Sequence, residues 1–196
     1  SHILWQLKPL YASAATNEAL LYYFESSVPT LYSLSGDLIS SFSAGDLRKQ
    51  WWTTGITVEQ TTYYRPGKYT HLFDNTDEYS IVFRLEEAYL LLAEALAQQG
   101  KLSEAMPYLN AVKEKAGVSP AAPTLTKEQL LDEILAENRK EFFTERGIRF
   151  TTLKRLGRLT DLVMHKPQWK PHHELWPLPF SELSLNPNLN PQNNGY

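Results

Sequence analysis

Three glutamates spaced four residues apart, Glu137, Glu141 and Glu145, are the residues of this sequence best placed to do chemistry. On a helix that spacing stacks them in one stripe, where like charges repel unless something answers them. A pair of carboxylates can serve as acid and base in the hydrolysis of a glycosidic bond. The neighbourhood favours a different use. No histidine lies on the stripe, and Arg139, Arg146, Arg149 and Arg155 are close in sequence. Guanidinium neighbours lower a carboxylate pKa, whereas a general acid needs it raised. The stripe therefore reads as a structural ion network of Glu137, Arg139, Glu141, Glu145, Arg149 and Arg155, pinning one helix to the next. No catalytic residue is assigned.

Metal chemistry finds little support. The Glu-x-x-His pairs of a di-metal bundle do not occur. His172-His173-Glu174 falls in a proline-rich segment, and in extended backbone adjacent side chains point to opposite faces. No metal and no cofactor is expected. The aromatic residues are the other candidates. Trp51, Trp52, Tyr63 and Tyr64 stand near turn-rich sequence, and together they could form a stacking platform for a sugar. The competing use is ordinary packing, as a cover for the ends of a helical hairpin.

The elements that must position these residues centre on Arg84 to Gly117, read as two helices joined at Gly100. Leu85, Ala88, Tyr89, Leu92, Ala93 and Leu96 recur on one face of the first. Leu102, Ala105, Met106, Leu109, Val112 and Lys113 do so on the second, with Pro107 near its first turn. Small residues at Ala93 and Ala105 let the backbones approach, which is the order of a tetratricopeptide-type hairpin. One such hairpin cannot bury its apolar face alone. Thr126 opens the longest helix, with Gln129 completing a capping box. Gly147 breaks that helix, and a short one continues to Gly157.

Before this core, Ile3 to Leu7 fits a strand, and residues 8–35 read as an irregular excursion. Two short helices follow, the second capped by Asp46. Pro66-Gly67 marks a turn between β-like flanks. After the core, prolines at 167, 171, 177, 179, 187 and 191 forbid a long helix. The apolar residues between them predict an extended strap lying over the helices rather than a disordered tail. The fold class is mainly α: a tetratricopeptide-like hairpin with further helices, long irregular loops, a minor β-hairpin and a C-terminal strap. One domain over 1–196 is expected, with a loop-rich part at 1–79, a helical core at 80–158 and the strap at 159–196.

Composition removes several function classes. With 19 basic and 22 acidic residues the net charge is −3, so there is no electrostatic footprint for nucleic acid or an anionic membrane surface. No run of about 18 apolar residues predicts a transmembrane helix, and no signal peptide is visible. The start Ser-His-Ile-Leu-Trp, without an initiator Met, reads as a cut inside a longer protein. The absence of Cys excludes disulfides and thiol chemistry within these residues.

In joint order, several motifs resemble the C-terminal part of the SusD/RagB family, the surface nutrient-binding lipoproteins of Bacteroidetes. They include Ile3-Leu4-Trp5-Gln6-Leu7, Asp46 with Arg48 and Trp51, Lys68-Tyr69, and Arg84-Leu85-Glu86-Glu87-Ala88-Tyr89-Leu90 with Ala93-Glu94-Ala95. Glu137 with Arg139, Glu141 and Glu145, then Leu153-Lys154-Arg155, Leu178-Pro179, Asn186-Pro187 and the closing Gly195-Tyr196 complete the series. Thr152 stands where the family usually has Asp, which removes one charge from the network. The resemblance implies a non-catalytic protein that binds oligosaccharide or another nutrient at the cell surface. It would deliver that ligand to a TonB-dependent (SusC-like) outer-membrane transporter. It also implies that the N-terminal half, with its signal peptide and lipid anchor, lies outside this sequence, and that the anchor is the only membrane attachment. The alternatives are a tetratricopeptide-type adaptor for a protein partner, which predicts tandem hairpins, and a glycoside hydrolase, which needs two carboxylates in an open cleft.

Overall fold

The computed structural model describes residues 2–196, which group into two compact units, one ending at Arg146 and the other running Gly147–Tyr196. The helix after Gly147 groups with the tail. Gly147 takes a left-handed φ of +66°, which a side chain would resist, and so ends one unit as it opens the next helix.

The first unit begins with β1 (Ile3–Leu7), and α1 (Asn17–Tyr22) follows in the stretch expected to be irregular. Thr16 starts α1 by accepting a hydrogen bond from Ala19 N at 3.1 Å. Two further one-and-a-half-turn helices follow, α2 (Gly36–Ser41) and α3 (Leu47–Trp52), capped by Ser35 and Asp46. A hairpin of β2 (Thr53–Val58) and β3 (Thr61–Pro66) comes next, then β4 (Ser80–Arg84), which pairs antiparallel with β1. Three long helices complete the unit: α4 (Leu85–Gln98), α5 (Leu102–Lys115) and α6 (Lys127–Glu141).

These three helices pack on one another around a shared core. Ala93 and Ala105 are fully buried, as the small-residue pattern requires for close backbones. Leu109, Val112, Leu130 and Ile134 fill the space around them. The buried ridge of α4 differs from the expected face. It runs Glu86, Leu90, Ala93 and Ala97, while Leu92 is 40% exposed. That ridge is one helical stripe, and it opens at Glu86 because ion partners on Arg84 and Lys115 hold the carboxylate inside. The capping box of Thr126 and Gln129 is formed on α6. Pro107 is the sixth residue of α5, in its second turn rather than the first.

The turn of the β2–β3 hairpin is Glu59-Gln60, not Pro66-Gly67. Glu59 adopts a φ of +56°, so a non-glycine residue takes the turn position. Pro66-Gly67 instead closes the open end of the hairpin, where Gly67 N donates to Trp52 O at 2.8 Å. A Cβ on Gly67 would stand 3.3 Å from Trp51 O, so the close approach itself asks for glycine. A second core gathers beneath the hairpin: Leu34, Leu38, Ile39, Phe42 and Phe143, with Trp52 and Tyr64 packed against it.

The second unit contains α7 (Ile148–Arg155) and α8 (Phe180–Leu185). Short 3₁₀ turns at Leu159–Leu162, Pro171–Glu174 and Pro187–Leu189 punctuate the remainder. Within it, Asn193 Nδ2 donates to Trp176 O at 2.6 Å, and Tyr196 Oη to Leu175 O at 2.8 Å. The closing Gly195 has a φ of +97°, and His172 stands where its Cβ would be.

Candidate functional site

The glutamate stripe is the electrostatic centre of the first unit. Glu137 and Glu141 are on the buried side of α6, and Glu145 follows in the turn beyond it. Glu141 accepts from Arg48 Nη1 at 2.9 Å through one oxygen and from Arg84 Nη1 through the other. Arg84 continues to Glu145, with Nη2 at 2.9 Å from Oε1 and Nε at 3.3 Å from Oε2. Lys68 Nζ donates to Glu145 Oε1 at 2.6 Å and to the carbonyls of Glu141 and Phe143. Arg48 Nη1 also forms an ion pair with Glu137 Oε1 at 2.7 Å, and Lys140 meets the other oxygen of Glu137 at 2.9 Å.

Local structure explains how each cation arrives. Asp46 caps α3 through Arg48 N at 2.9 Å, and the same carboxylate takes two bonds from the Arg48 guanidinium. The cap therefore aims the side chain as well as the helix. Arg84 is the last residue of β4 and the N-cap of α4, where its side chain makes no cap bond and turns into the network. Lys68 follows the hairpin and is walled by aromatic rings, with Nζ 4.1 Å from the Phe143 centroid and 4.5 Å from that of Trp52. Among the described residues, Arg48, Lys68, Arg84, Lys115 and Lys140 balance Asp46, Glu86, Glu137, Glu141 and Glu145 in contiguous ion pairs.

Of the arginines close in sequence to the stripe, Arg139 pairs with Asp37 at 2.5 Å and Arg146 with Glu87 at 2.5 Å. Arg149 and Arg155 belong to α7 in the second unit. Arg48, Lys68 and Arg84, far away along the chain, meet the glutamates, together with Lys140 beside Glu137. An arginine two residues after an N-cap aspartate, and a lysine set among aromatics, were the available signals.

Burial alone would raise the pKa of Glu141, but the charges of Arg84, Lys68 and Arg48 overcome it and hold the carboxyl below its ordinary range. Burial alone would likewise lower Arg48 and Arg84, and their carboxylate partners hold both above the usual guanidinium value. For Lys68 burial wins over Glu145, and its pKa is pushed down to about 8. A carboxyl held ionised among guanidinium groups is unsuited to donate a proton. Its depressed pKa also fixes a pH dependence. The stabilisation from Glu141 is present above its unfolded value near 4.5 and is lost as pH falls further, because the unfolded carboxyl then takes up a proton that folding has to remove. Urea midpoints measured from pH 7 to pH 3 should fall below about pH 4.5, and the fall should be shallower in Glu141→Gln.

The four aromatic candidates do not form one platform. Tyr63 and Tyr64 are neighbours on β3 and project to opposite faces. Tyr64 and Trp52 pack on the second core, and Trp52 also walls Lys68 and Arg84. Trp51 is 68% exposed. With Leu47 and Ala116 it borders an open cleft of about 200 Å³ that reaches Arg48 and Glu141. A larger groove, of about 480 Å³, lies beside Leu7–Tyr11 and the start of α1, where the sequence offered no motif. Among the described residues no group of three or more His, Asp or Glu side chains could hold a metal ion. His172 and His173 share a 3₁₀ turn, with rings 4.3 Å apart, rather than the extended backbone expected.

The model of the SusD family matches residues 11–170, and the chain belongs to that family. It is 30% identical over 149 residues to the starch-binding protein SusD of Bacteroides thetaiotaomicron, covering 74% of this chain and 26% of that protein. It is 33% identical over 117 residues to the SusD-like protein P38 of Formosa agariphila, covering 56% of this chain and 23% of that protein. Among solved structures, a SusD superfamily protein from Bacteroides vulgatus superposes on all of the chain and 51% of its own length, with a TM-score of 0.72 at 18% identity. Surface glycan-binding protein A from B. thetaiotaomicron covers 94% of this chain and 45% of its own, with a TM-score of 0.67 at 19% identity. The chain thus spans about a quarter of the length of these curated relatives and about half that of these solved structures.

Proposed function

We propose that this protein is a non-catalytic module that holds oligosaccharide at the bacterial surface. It would act as part of an outer-membrane lipoprotein that passes its ligand to a TonB-dependent transporter. Family membership carries the reading, since relatives are described as a starch-binding protein and as surface glycan-binding proteins. The geometry supports it: carboxylates that could have served hydrolysis are committed to cations, while Trp51 is left open to stack on a sugar ring. In the adaptor reading the groove would come from tandem hairpins, whereas among the described residues α4 and α5 form one such pair, followed by α6.

Paired variants test the assignment. Trp51→Ala should weaken glycan binding about tenfold and leave the melting temperature unchanged. Trp52→Ala should instead lower stability by about 2–4 kcal/mol, because its ring supports the buried Lys68 and Arg84. Isothermal titration and thermal melts separate the two. Co-isolation of the whole protein with a TonB-dependent transporter from outer membranes would test delivery, and its absence would sink that part.

A further inference from the structure

We infer that the cavity bordered by Lys68, Tyr69, Arg84 and Lys115 binds a small oxyanion, with Lys115 and Tyr69 as its hydrogen-bond donors. Such a site is independent of glycan capture. The cavity, of about 220 Å³, is smaller than pockets that enclose drug-sized molecules and roomy enough for an ion with its waters. Lys68, Arg84 and Lys115 line it against one carboxylate, Glu145. The charged centre balances as a whole, but its charges are unevenly spread. Asp46 and Glu137 offset Arg48 and Lys140 at one end, and Glu141 stands between Arg48 and Arg84. At the other end Glu86 and Glu145 face Lys68, Arg84 and Lys115, so the cavity side carries the surplus cation. Glu145 does not make up for the burial of Lys68, whose pKa is pushed down to about 8. A further negative charge nearby would favour its ammonium form.

Two donors in the wall still have hydrogens to give. Tyr69 is buried, and its Oη accepts from Ile81 N at 2.9 Å, while its own proton meets no acceptor among the described residues. Burial pushes that phenol up to about 12, so the proton stays in place across the physiological range. The Lys115 ammonium has three N–H groups, and Glu86 engages it through a single oxygen. Its side chain is 45% exposed, within reach of ions from solution. The N–H groups of Lys68 and Arg84 are largely taken up by Glu141, Glu145 and backbone carbonyls, so these two supply charge rather than bonds. Trp52 and Ile81 line part of the remainder, and apolar walls let those charges act with little screening. An oxyanion accepts through several oxygens and answers the surplus charge, which a neutral ligand would leave standing.

The test titrates the full chain with inorganic phosphate, sulfate and acetate, exchanged for chloride at constant ionic strength. The melting temperature should rise saturably with at least one of them. A rise in phosphate or sulfate marks a free inorganic ion, and a rise confined to acetate marks the carboxylate of an organic ligand. Lys115→Gln and Tyr69→Phe, each compared with its own anion-free melt, should weaken that anion about tenfold, as expected for a lost hydrogen bond to a charged group. Lys115→Arg keeps the charge and should stay closer to the parent than Lys115→Gln does. Should Lys115→Gln fail to fold, Tyr69→Phe and Lys115→Arg still report. A rise that is linear and equal in parent and variants would be a general salt effect and would overturn the site. So would a parent that responds to none of the three anions.

Discussion

Glu141→Gln is expected to lower the unfolding free energy by about 3–5 kcal/mol, the loss typical when one partner of a buried ion pair is neutralised. The substitution keeps the shape of the side chain, so no cavity contributes. It removes the one charge shared by Arg48 and Arg84, both of which are almost wholly buried. Each arginine retains other carboxylates, Asp46 and Glu137 for Arg48 and Glu145 for Arg84, so the protein should still fold. Guanidinium-chloride unfolding measures the difference directly. A loss below about 1 kcal/mol would mean that the pairing is no tighter than an exposed salt bridge.

Asp46→Ala should be comparably damaging, at about 3–5 kcal/mol, because one carboxylate serves two purposes. It starts α3, and it takes a bidentate grip on Arg48 with bonds of 3.0 and 2.9 Å. Asp46→Asn separates the two uses. Asparagine caps about as well as aspartate but brings no charge, so it should recover about 1 kcal/mol of the loss. Because Asp46 and Glu141 share Arg48, the double variant should depart from additivity by about 1 kcal/mol or more, a coupling measurable in a double-mutant cycle.

The parts of the fold that were legible in the sequence are those fixed by neighbours along the chain. Gly100 and Gly117 delimit the second helix of the hairpin because each takes a left-handed φ, and at Gly117 a Cβ would also meet Leu47 Cγ at 3.0 Å. Thr126 with Gln129 and Asp46 with Arg48 are local hydrogen-bond patterns, and both stand as expected. The family resemblance was likewise carried by such local runs.

Contacts across the fold were hidden. Arg48 and Glu141 are 93 positions apart, and Arg84 and Glu145 are 61 apart, so proximity in sequence pointed to Arg139 instead. The groove beside Leu7–Tyr11 was invisible for the same reason, since β4 and Arg146 help to line it from far along the chain. The hairpin turn was misplaced because Glu59 takes a conformation usually left to glycine, asparagine or aspartate. Among the aromatics, period-two alternation already separates Tyr63 from Tyr64. No pattern along the sequence distinguishes the exposed Trp51 from the packed Trp52.

The charged centre also sets an order of assembly. Arg48, Lys68 and Arg84 leave the ribosome well before Glu141 and Glu145, the carboxylates that tie them together. Until α6 has emerged, Asp46 can pair with Arg48 and Glu86 with Arg84, but Lys68 lacks its Glu145 partner. The pairs with Glu141 and Glu145 can close only after α6, across loops of about sixty to ninety residues. A ribosome stalled before Glu141 should therefore hold a protease-sensitive chain, and one that has cleared Glu145 a resistant one.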